Sequence, residues 1–468
     1  MSDDPLLSVE KERLVRTIRE QEQQIEKLRQ ENEFLRKENE HLKNPPKPFE
    51  KKPSQNMSGR RSKRPEEWGR KKGHKGSWRP KPDHIDQEEP LMLDACPNCR
   101  NPLGAPYDFE EHIQEDILPA RVHVTRYLHY RYWCHHCHEH VVAPHAADEV
   151  PYGYLGPRVL TVMTLLKYYY VLPGNKIEAI LQDLCGLKVS EGGIAQALQR
   201  LGKYLQIETD VILKKVREAA VKHADETGWK INGVKHWLWA FVDEMWAYHK
   251  IDRSRGSKVV KEVLGNPVPG TLVSDFHSAY DLVGGDQQKC LIHLRREMRE
   301  CRAKGPPGGD PTFEKPYKIL KRLLDDADRL ADQRGCLPKR VYRRRLRRIK
   351  DRLVDFACAP FENANWQRLS KRLLLYQKEI FTYLDKPGVP NHNNTAERAI
   401  RPHVILRNRS FQNRTPKGAQ AHSVMTSLVS TLLLQKRNPV EELRRVYPLQ
   451  RQQAIINPDH RIPMMFTA

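Results

Sequence analysis

The sequence predicts a multidomain α/β protein, and three observations lead there. A chain of 468 residues exceeds what one hydrophobic core organises, so two or more domains are expected. Residues 221 to 275 string together short β-branched and aromatic runs around a single helix, which is the pattern of a sheet with a crossover. Residues 313 to 385 read as long helices, which places an all-α insertion after that sheet.

Composition narrows the partners. Lys and Arg outnumber Asp and Glu by 81 to 59, a net charge of +22, with a pI near 9.5, so a polyanion, first of all double-stranded DNA, is the expected partner. No apolar run approaches the roughly 18 residues of a spanning helix, and the chain opens on Met1-Ser2-Asp3-Asp4 without a signal peptide. A cytoplasmic protein without a membrane partner is therefore expected. Nine cysteines in such a compartment point to metal binding or free thiols rather than a disulfide framework.

Residues 6–43 form a heptad helix. Leu7, Leu14, Gln21, Leu28, Leu35 and Leu42 occupy d while Ile18, Ile25, Asn32 and Asn39 occupy a. Branched residues at a with Leu at d favour a two-stranded parallel coiled coil, and Asn at a fixes register, so a homodimer or higher homo-oligomer is expected. Residues 44–90 read as a basic flexible arm. From 44 to 82 there are thirteen Lys or Arg against three Glu, with seven prolines, so no core can form there. Trp68 and Trp78 bracket a cationic run in which Arg70, Lys71, Lys72, His74 and Lys75, with Arg79 just beyond, suit phosphate contact beside aromatic stacking or minor-groove insertion.

Residues 91–150 carry Cys96-Pro97-Asn98-Cys99 and, after 34 intervening residues, Cys134-His135-His136-Cys137. Four thiolates close a tetrahedral structural zinc site, so a zinc ribbon with one Zn2+ is expected, its strands drawn from the alternating stretch Arg121 to Trp133. Cys185, Cys290, Cys301, Cys336 and Cys358 lack such pairing and read as buried thiols. Residues 151–220 are helical: Val159 to Val171, Lys176 to Leu184, and Gly193 to Leu205 behind a Ser190 cap. The last two resemble a helix-turn-helix, which would put Gln196, Gln199 and Arg200 near base edges.

The sheet follows in residues 221–294. Strands are expected to Asp225, over His236 to Asp243 and over Met245 to Ile251. A helix from Ser257 to Leu264 leads into a strand ending at Asp275, and a fifth strand, Lys289 to Ile292, delivers His293. Three antiparallel strands, a helix and a fourth strand returning beside the first make a ribonuclease-H-like topology. From Asp225 to Asp275 is 50 residues and from Asp275 to Glu397 is 122, so an all-helical insertion occupies 295–390. Within it, Arg343, Arg344 and Arg347 lie on a cationic helix face suited to DNA phosphates. Residues 391–450 return to the sheet domain, and 451–468 are a tail.

Three acidic residues organise the chemistry. Asp225 and Asp275 each close an apolar run, as carboxylates at the end of a buried strand, and Glu397 falls in the first turn of a helix behind an Asn cap in Asn393-Asn394-Thr395-Ala396-Glu397. Two strand-end aspartates and a helix-borne glutamate suit a pair of Mg2+ ions, with Mn2+ able to substitute, and so a phosphodiester substrate. Asn393, Asn394 and Arg401 are spaced to share the Glu397 face, and Arg398 points a quarter turn away.

The runs Ala224-Asp225-Glu226-Thr227-Gly228-Trp229, Ser274-Asp275, Cys290-Leu291-Ile292-His293-Leu294-Arg295-Arg296 and Asn393-Asn394-Thr395-Ala396-Glu397-Arg398 resemble the signatures of the insertion sequence 66 family of DDE transposases. The order of coiled coil, basic arm and paired cysteines is similar too. The resemblance implies a ribonuclease-H-like domain that cuts and joins DNA at element ends and in the target. It makes Asp225, Asp275 and Glu397 the metal-binding triad, Cys290 and His293 a supporting Cys-x-x-His element, and accessory proteins of the same element candidate partners. Arg407 to Arg414 departs from the family's usual Arg-Lys-Asn run. The competing reading is a zipper-dimerised, zinc-containing DNA-binding regulator, or an inactive relative.

Overall fold

The computed structural model describes residues 81–106, 108–117, 120–305, 310–410, 412–456 and 461–466. The expected coiled coil and the cationic residues Arg70 to Arg79 lie outside them. The chain divides into two compact units, before and after Glu115–Asp116.

In the first unit, residues 81–106 are largely exposed and form one tight turn, with Ala95 bridging Pro102. The second unit begins with a small hairpin of β1 (Arg131–Cys134) and β2 (Glu139–Val142). The strand expected from Arg121 shrinks to four residues. Its alternating side chains are almost all exposed, and a two-stranded ribbon has too little apolar cover to hold longer strands.

Three helices follow: α1 (Pro157–Tyr168), α2 (Gly174–Cys185) and α3 (Glu191–Glu218). Ser190 caps α3, accepting from the Gly193 N–H at 3.2 Å. The helix is 28 residues long, not a short recognition helix ending at Leu205, because its buried stripe runs on through Ile212 and Val216. Gln196 and Arg200 are exposed on its first turns.

The mixed sheet comprises β3 (Val221–Ile231), β4 (Val234–Val242), β5 (Ala247–Asp252), β6 (Thr271–Ser274) and β7 (Asp286–Lys289), in spatial order β5-β4-β3-β6-β7. The first three are antiparallel; β6 and β7 run parallel to β3. Helix α4 (Ser257–Leu264) makes the crossover. Two boundaries differ from the sequence reading by more than two residues. Strand β3 runs six residues past Asp225 because β4 keeps pairing with it, although β6 stops opposite His223. Strand β7 ends at Lys289, since Leu291, Leu294, Met298 and Cys301 form the buried stripe of a helix, α5 (Leu291–Ala303).

The insertion is helical as expected: α6 (Pro311–Asp332), α7 (Lys339–Cys358), α8 (Ala364–Leu375) and the single turn α9 (Thr382–Asp385) share a core with α5. Helices α10 (Asn394–Arg409), α11 (Pro416–Leu434) and α12 (Pro439–Ile456) close the chain. Helix α11 approaches α3 so closely that a Cβ on Gly202 would stand 2.8 Å from the Ala421 Cα.

The two sheet faces have different covers. Ala224, Trp239, Phe241 and Leu272 pack with α3, α4 and α11, while Leu238, Ala240, Val242 and Ala247 pack against Ala396, Ile400 and Leu406 of α10, as strict strand alternation requires. The edge strand β5 is not open. The backbone N–H groups of Ala247, His249 and Ile251 donate to the hydroxyls of Thr431, Ser427 and Ser423 at 3.1, 2.8 and 3.1 Å. One helical turn matches two strand residues closely enough for three hydroxyls to cap the edge. Of the five unpaired cysteines, only Cys290 and Cys301 are buried; Cys336 and Cys358 are exposed and Cys185 is half-buried, since they fall at helix ends or turns outside the buried stripes.

Candidate active site

Register decides which acids meet. Asp225 pairs with Ala240 and Glu226 with Trp239, and cross-strand partners share a face. Asp225 therefore faces α10, while Glu226 faces the opposite layer. Asp225 lies mid-strand, not at a strand end, but just beyond the last residue paired to β6, so the parallel neighbour leaves its carboxylate uncovered. Asp275 follows directly on β6, and Glu397 sits in the first turn of α10.

The three carboxylates influence one another. Burial foremost, then the charges of Glu226, Asp275 and Glu397, push Asp225 up to about 7 from 3.8, against a hydrogen bond from the Glu226 N–H. Among the described residues no Lys or Arg pairs with Asp225, Asp275 or Glu397. The Glu397 Oε1 and His293 Nδ1 atoms are both buried without a hydrogen bond, 3.6 Å apart. Orphaned polar atoms beside a mutually repelling carboxylate group are what a cation would satisfy, so these residues fit a divalent metal.

Two buried residues fasten the carboxylates in place. Asn393 occupies the N-cap position of α10, yet its side chain makes no cap bond. It reaches back to β3 instead, where Nδ2 donates to the Ala224 carbonyl at 2.8 Å and Oδ1 lies 3.0 Å from His223 Nδ1. The expected cap thus acts across 169 residues of sequence, because unpaired carbonyl and ring groups beside Asp225 offer better partners than its own helix. Burial, partly opposed by Asn393, pushes His223 down to about 4, so the neutral ring carries its proton on Nδ1. Cys290 is the second fastening. Its N–H donates to the Ser274 carbonyl at 2.8 Å, and its sulfur accepts the Asn393 N–H at 3.2 Å. Burial raises the Cys290 thiol. It joins the Asp275 strand to the Glu397 helix, and His293 follows in the first turn of α5.

The remaining predicted residues disperse. Asn394 is half-buried, and Arg398 and Arg401 are exposed on α10. Arg343 and Arg347 are exposed on α7, where Arg344 is half-buried. Part of the charge of α7 is compensated by its neighbours: Arg352 pairs with Asp326 of α6 and Lys350 with Asp385 of α9, each at 2.8 Å. The divergent run after Arg407 is a scaffold along β3. Arg407 donates to Thr227 Oγ1 at 2.6 Å, Asn413 Oδ1 accepts the Trp229 indole N–H at 2.7 Å, and Gln412 accepts the Lys230 N–H.

Glu226 behaves differently from its neighbour. It accepts from Tyr280 Oη at 2.6 Å and pairs with the Arg255 guanidinium at 2.9 Å. Sequence reasoning missed Arg255, Tyr280 and His223. A period-2 reading puts His223 on the Asp225 face, but nothing local marks the other two.

The Cys-x-x-Cys turns share one backbone geometry. Arg100 and His138, each directly after the second cysteine, have positive φ of 62° and 57° and donate N–H to the first cysteine's carbonyl at 2.8 and 2.9 Å. Hydrogen bonds from within each turn, chiefly from Cys99 and Cys137, lower the Cys96 and Cys134 thiols. Each turn by itself fits half of a zinc site.

Among known proteins, the family described as Transposase IS66 family matches residues 152–421, more than half of the chain. Two proteins of Sinorhizobium fredii (strain NBRC 101917 / NGR234) are similar. Uncharacterized protein y4qI is 25% identical over 366 residues, 70% of this chain and 66% of y4qI, just under two thirds of it. Uncharacterized protein y4jD is 21% identical over 390 residues, 76% of this chain and 75% of y4jD. No helix among the described residues is long and apolar enough to cross a membrane.

Proposed function

The chain belongs to the IS66 family of transposases, and from that membership we propose that it cuts the phosphodiesters at the ends of its element and joins the freed 3′ ends to target DNA by a DDE mechanism. One observation carries the reading: Asp225, driven up to about 7 by burial and by Glu226, Asp275 and Glu397, has no basic partner among the described residues. The strand order and the meeting of three elements at these carboxylates support a ribonuclease-H-like catalytic domain.

Asp225, Asp275 and Glu397 would hold the divalent ions, magnesium or manganese. Bound there, two such ions supply the Lewis acidity that activates an attacking hydroxyl and takes up charge on the leaving 3′ oxygen. Asn393 holds the first turn of α10 against β3, so that Glu397 faces Asp225. Cys290 keeps Asp275 in step with that turn. Arg398 and Arg401, exposed on the same helix, are placed for phosphate. Arg343 and Arg347, with the arm residues Arg70 to Arg79, extend the cationic surface for element-end and target DNA. Cys96, Cys99, Cys134 and Cys137 would hold one structural zinc, and the heptads of residues 6–43 would pair two or more chains, with accessory proteins of the element as further partners.

The test is cleavage of the element's own end DNA with magnesium or manganese, beside Glu397→Ala. Nicking at the 3′ end by the parent protein alone is expected. Equal binding by both proteins with no cleavage by either would leave a DNA-binding regulator.

A further inference from the structure

A second cluster of metal-ligating side chains lies far along the chain from the carboxylates. We propose that His129, His145 and Glu149 form a binding site for a divalent transition ion, zinc first among them, that staples the base of the β1–β2 hairpin to the loop held by α12.

The donor atoms of these residues all lie within 4.8 Å of one another. Glu149 Oε1 is 3.0 Å from His129 Nε2 and 2.7 Å from His145 Nδ1. Tetrahedral zinc with bonds of about 2.0–2.1 Å would set its donors roughly 3.3 Å apart, so the two Glu149–imidazole contacts would each open by a few tenths of an ångström about the ion. Two imidazoles and a carboxylate are a borderline donor set that suits zinc better than magnesium.

The proton arrangement supports a cation. His129 Nδ1 lies 3.1 Å from the Ala143 carbonyl, which can only accept, so that nitrogen carries a proton. In a neutral ring Nε2 is then a lone pair, and it faces a carboxylate oxygen. Two acceptors in contact require a proton, on the ring or on the carboxyl, or a metal between them. A ligating histidine whose other ring N–H donates to a backbone carbonyl is the usual outer arrangement of such sites. The Glu149 side chain is 10% exposed. Among the described residues its ion-pair partners are these two imidazoles alone.

The setting gives the site a purpose. His129 precedes β1 and Ala143 follows β2, and the Ala143 N–H donates to the Tyr130 carbonyl at 3.1 Å. From α12, Gln452 Nε2 donates to the carbonyls of Ala146 and Glu149 at 2.7 and 3.2 Å. A bound ion would tie the hairpin base to the loop that α12 already holds. Three protein ligands leave the fourth position to water.

Zinc per chain, measured on the full-length protein after zinc loading and dialysis, tests this. A Cys96→Ser, Cys99→Ser, Cys134→Ser, Cys137→Ser variant should hold one equivalent more than the same variant with His145→Ala or Glu149→Gln added. Cobalt(II) titration of the unaltered protein is the second measurement, for use where the serine variant does not fold. Beyond the thiolate-bound equivalent, a further equivalent should add d–d bands with no additional thiolate-to-metal charge transfer and should vanish in Glu149→Gln, whose fold is checked by circular dichroism. A folded His145→Ala or Glu149→Gln protein with unchanged zinc content would overturn the site. So would an unaltered protein that takes up no ion outside its thiolates, leaving protonated imidazoles to hold the carboxylate.

Discussion

Asp225 and Glu226 are neighbours on one strand, both carboxylates and both largely buried, yet they occupy opposite electrostatic worlds. Glu226 faces Tyr280 and Arg255, which satisfy its two oxygens. Asp225 faces Asp275 and Glu397 and is pushed up to about 7. A buried acid that has its cation is explained by the fold. One held among like charges is explained only by something the fold awaits.

Asp225→Asn separates the two cases most sharply. If Asp225 holds metal, its loss removes several kcal/mol of Lewis-acid assistance, about 10³-fold in strand cleavage. The metal-free protein should become more stable, because like-charge repulsion is relieved. A strand-cleavage assay checks the first and thermal unfolding with and without magnesium the second, and a variant that loses stability while keeping its metal response would collapse the contrast. Glu226→Ala should do the reverse. Removing it strands Arg255 and the Tyr280 hydroxyl and costs about 2–3 kcal/mol, with the magnesium response retained.

The same contrast has a pH signature. A carboxylate raised from 3.8 to about 7 in the folded protein opposes folding when ionised, so the metal-free protein loses stability as pH rises through that window and levels off above it. A metal reverses the preference and must displace the proton. Affinity for manganese should therefore rise up to about tenfold per pH unit below 7 and flatten above. Glu226→Gln should keep that slope, and Asp225→Asn should abolish it.

What was legible in the sequence follows the same division. Asp275 and Glu397 were visible because one follows directly on a strand and the other opens a helix, and Asp225 because it ends an apolar run, although β3 carries on past it. The strand order was visible too, since apolar periodicity and a single helix length fix it. The partners of Glu226 were not, as Arg255 and Tyr280 lie 29 and 54 residues away and meet it only through the crossover of α4. Asn393 was read as a local cap for the same reason: its sequence neighbours favour a cap, and the stronger attraction of Ala224 and His223 exists only after folding. Likewise β7 was placed three residues late because Leu291 and Ile292 suit a strand as well as a helix, and the stripe that decides it extends to Cys301.

The smallest effect concerns the far edge of the same sheet, where the groups that meet the strand backbone are neutral hydroxyls. Ser427 accepts the His249 N–H at 2.8 Å and donates to the Ser423 carbonyl at 2.7 Å, so it consumes one strand donor in the middle of the β5 edge. Ser427→Ala leaves that N–H buried and unpaired, at a cost of about 1–2 kcal/mol. Urea unfolding should show that shift in midpoint with an unchanged slope, and magnesium-dependent cleavage should stay at the parent level. Replacing Ser423, Ser427 and Thr431 together should open the edge and promote self-association, which light scattering would detect, because three unpaired donors in register invite a strand from another chain. Edge protection and metal chemistry would then be separable properties of one sheet, one resting on neutral hydroxyls that finish their bonds within the fold and the other on carboxylates that do not.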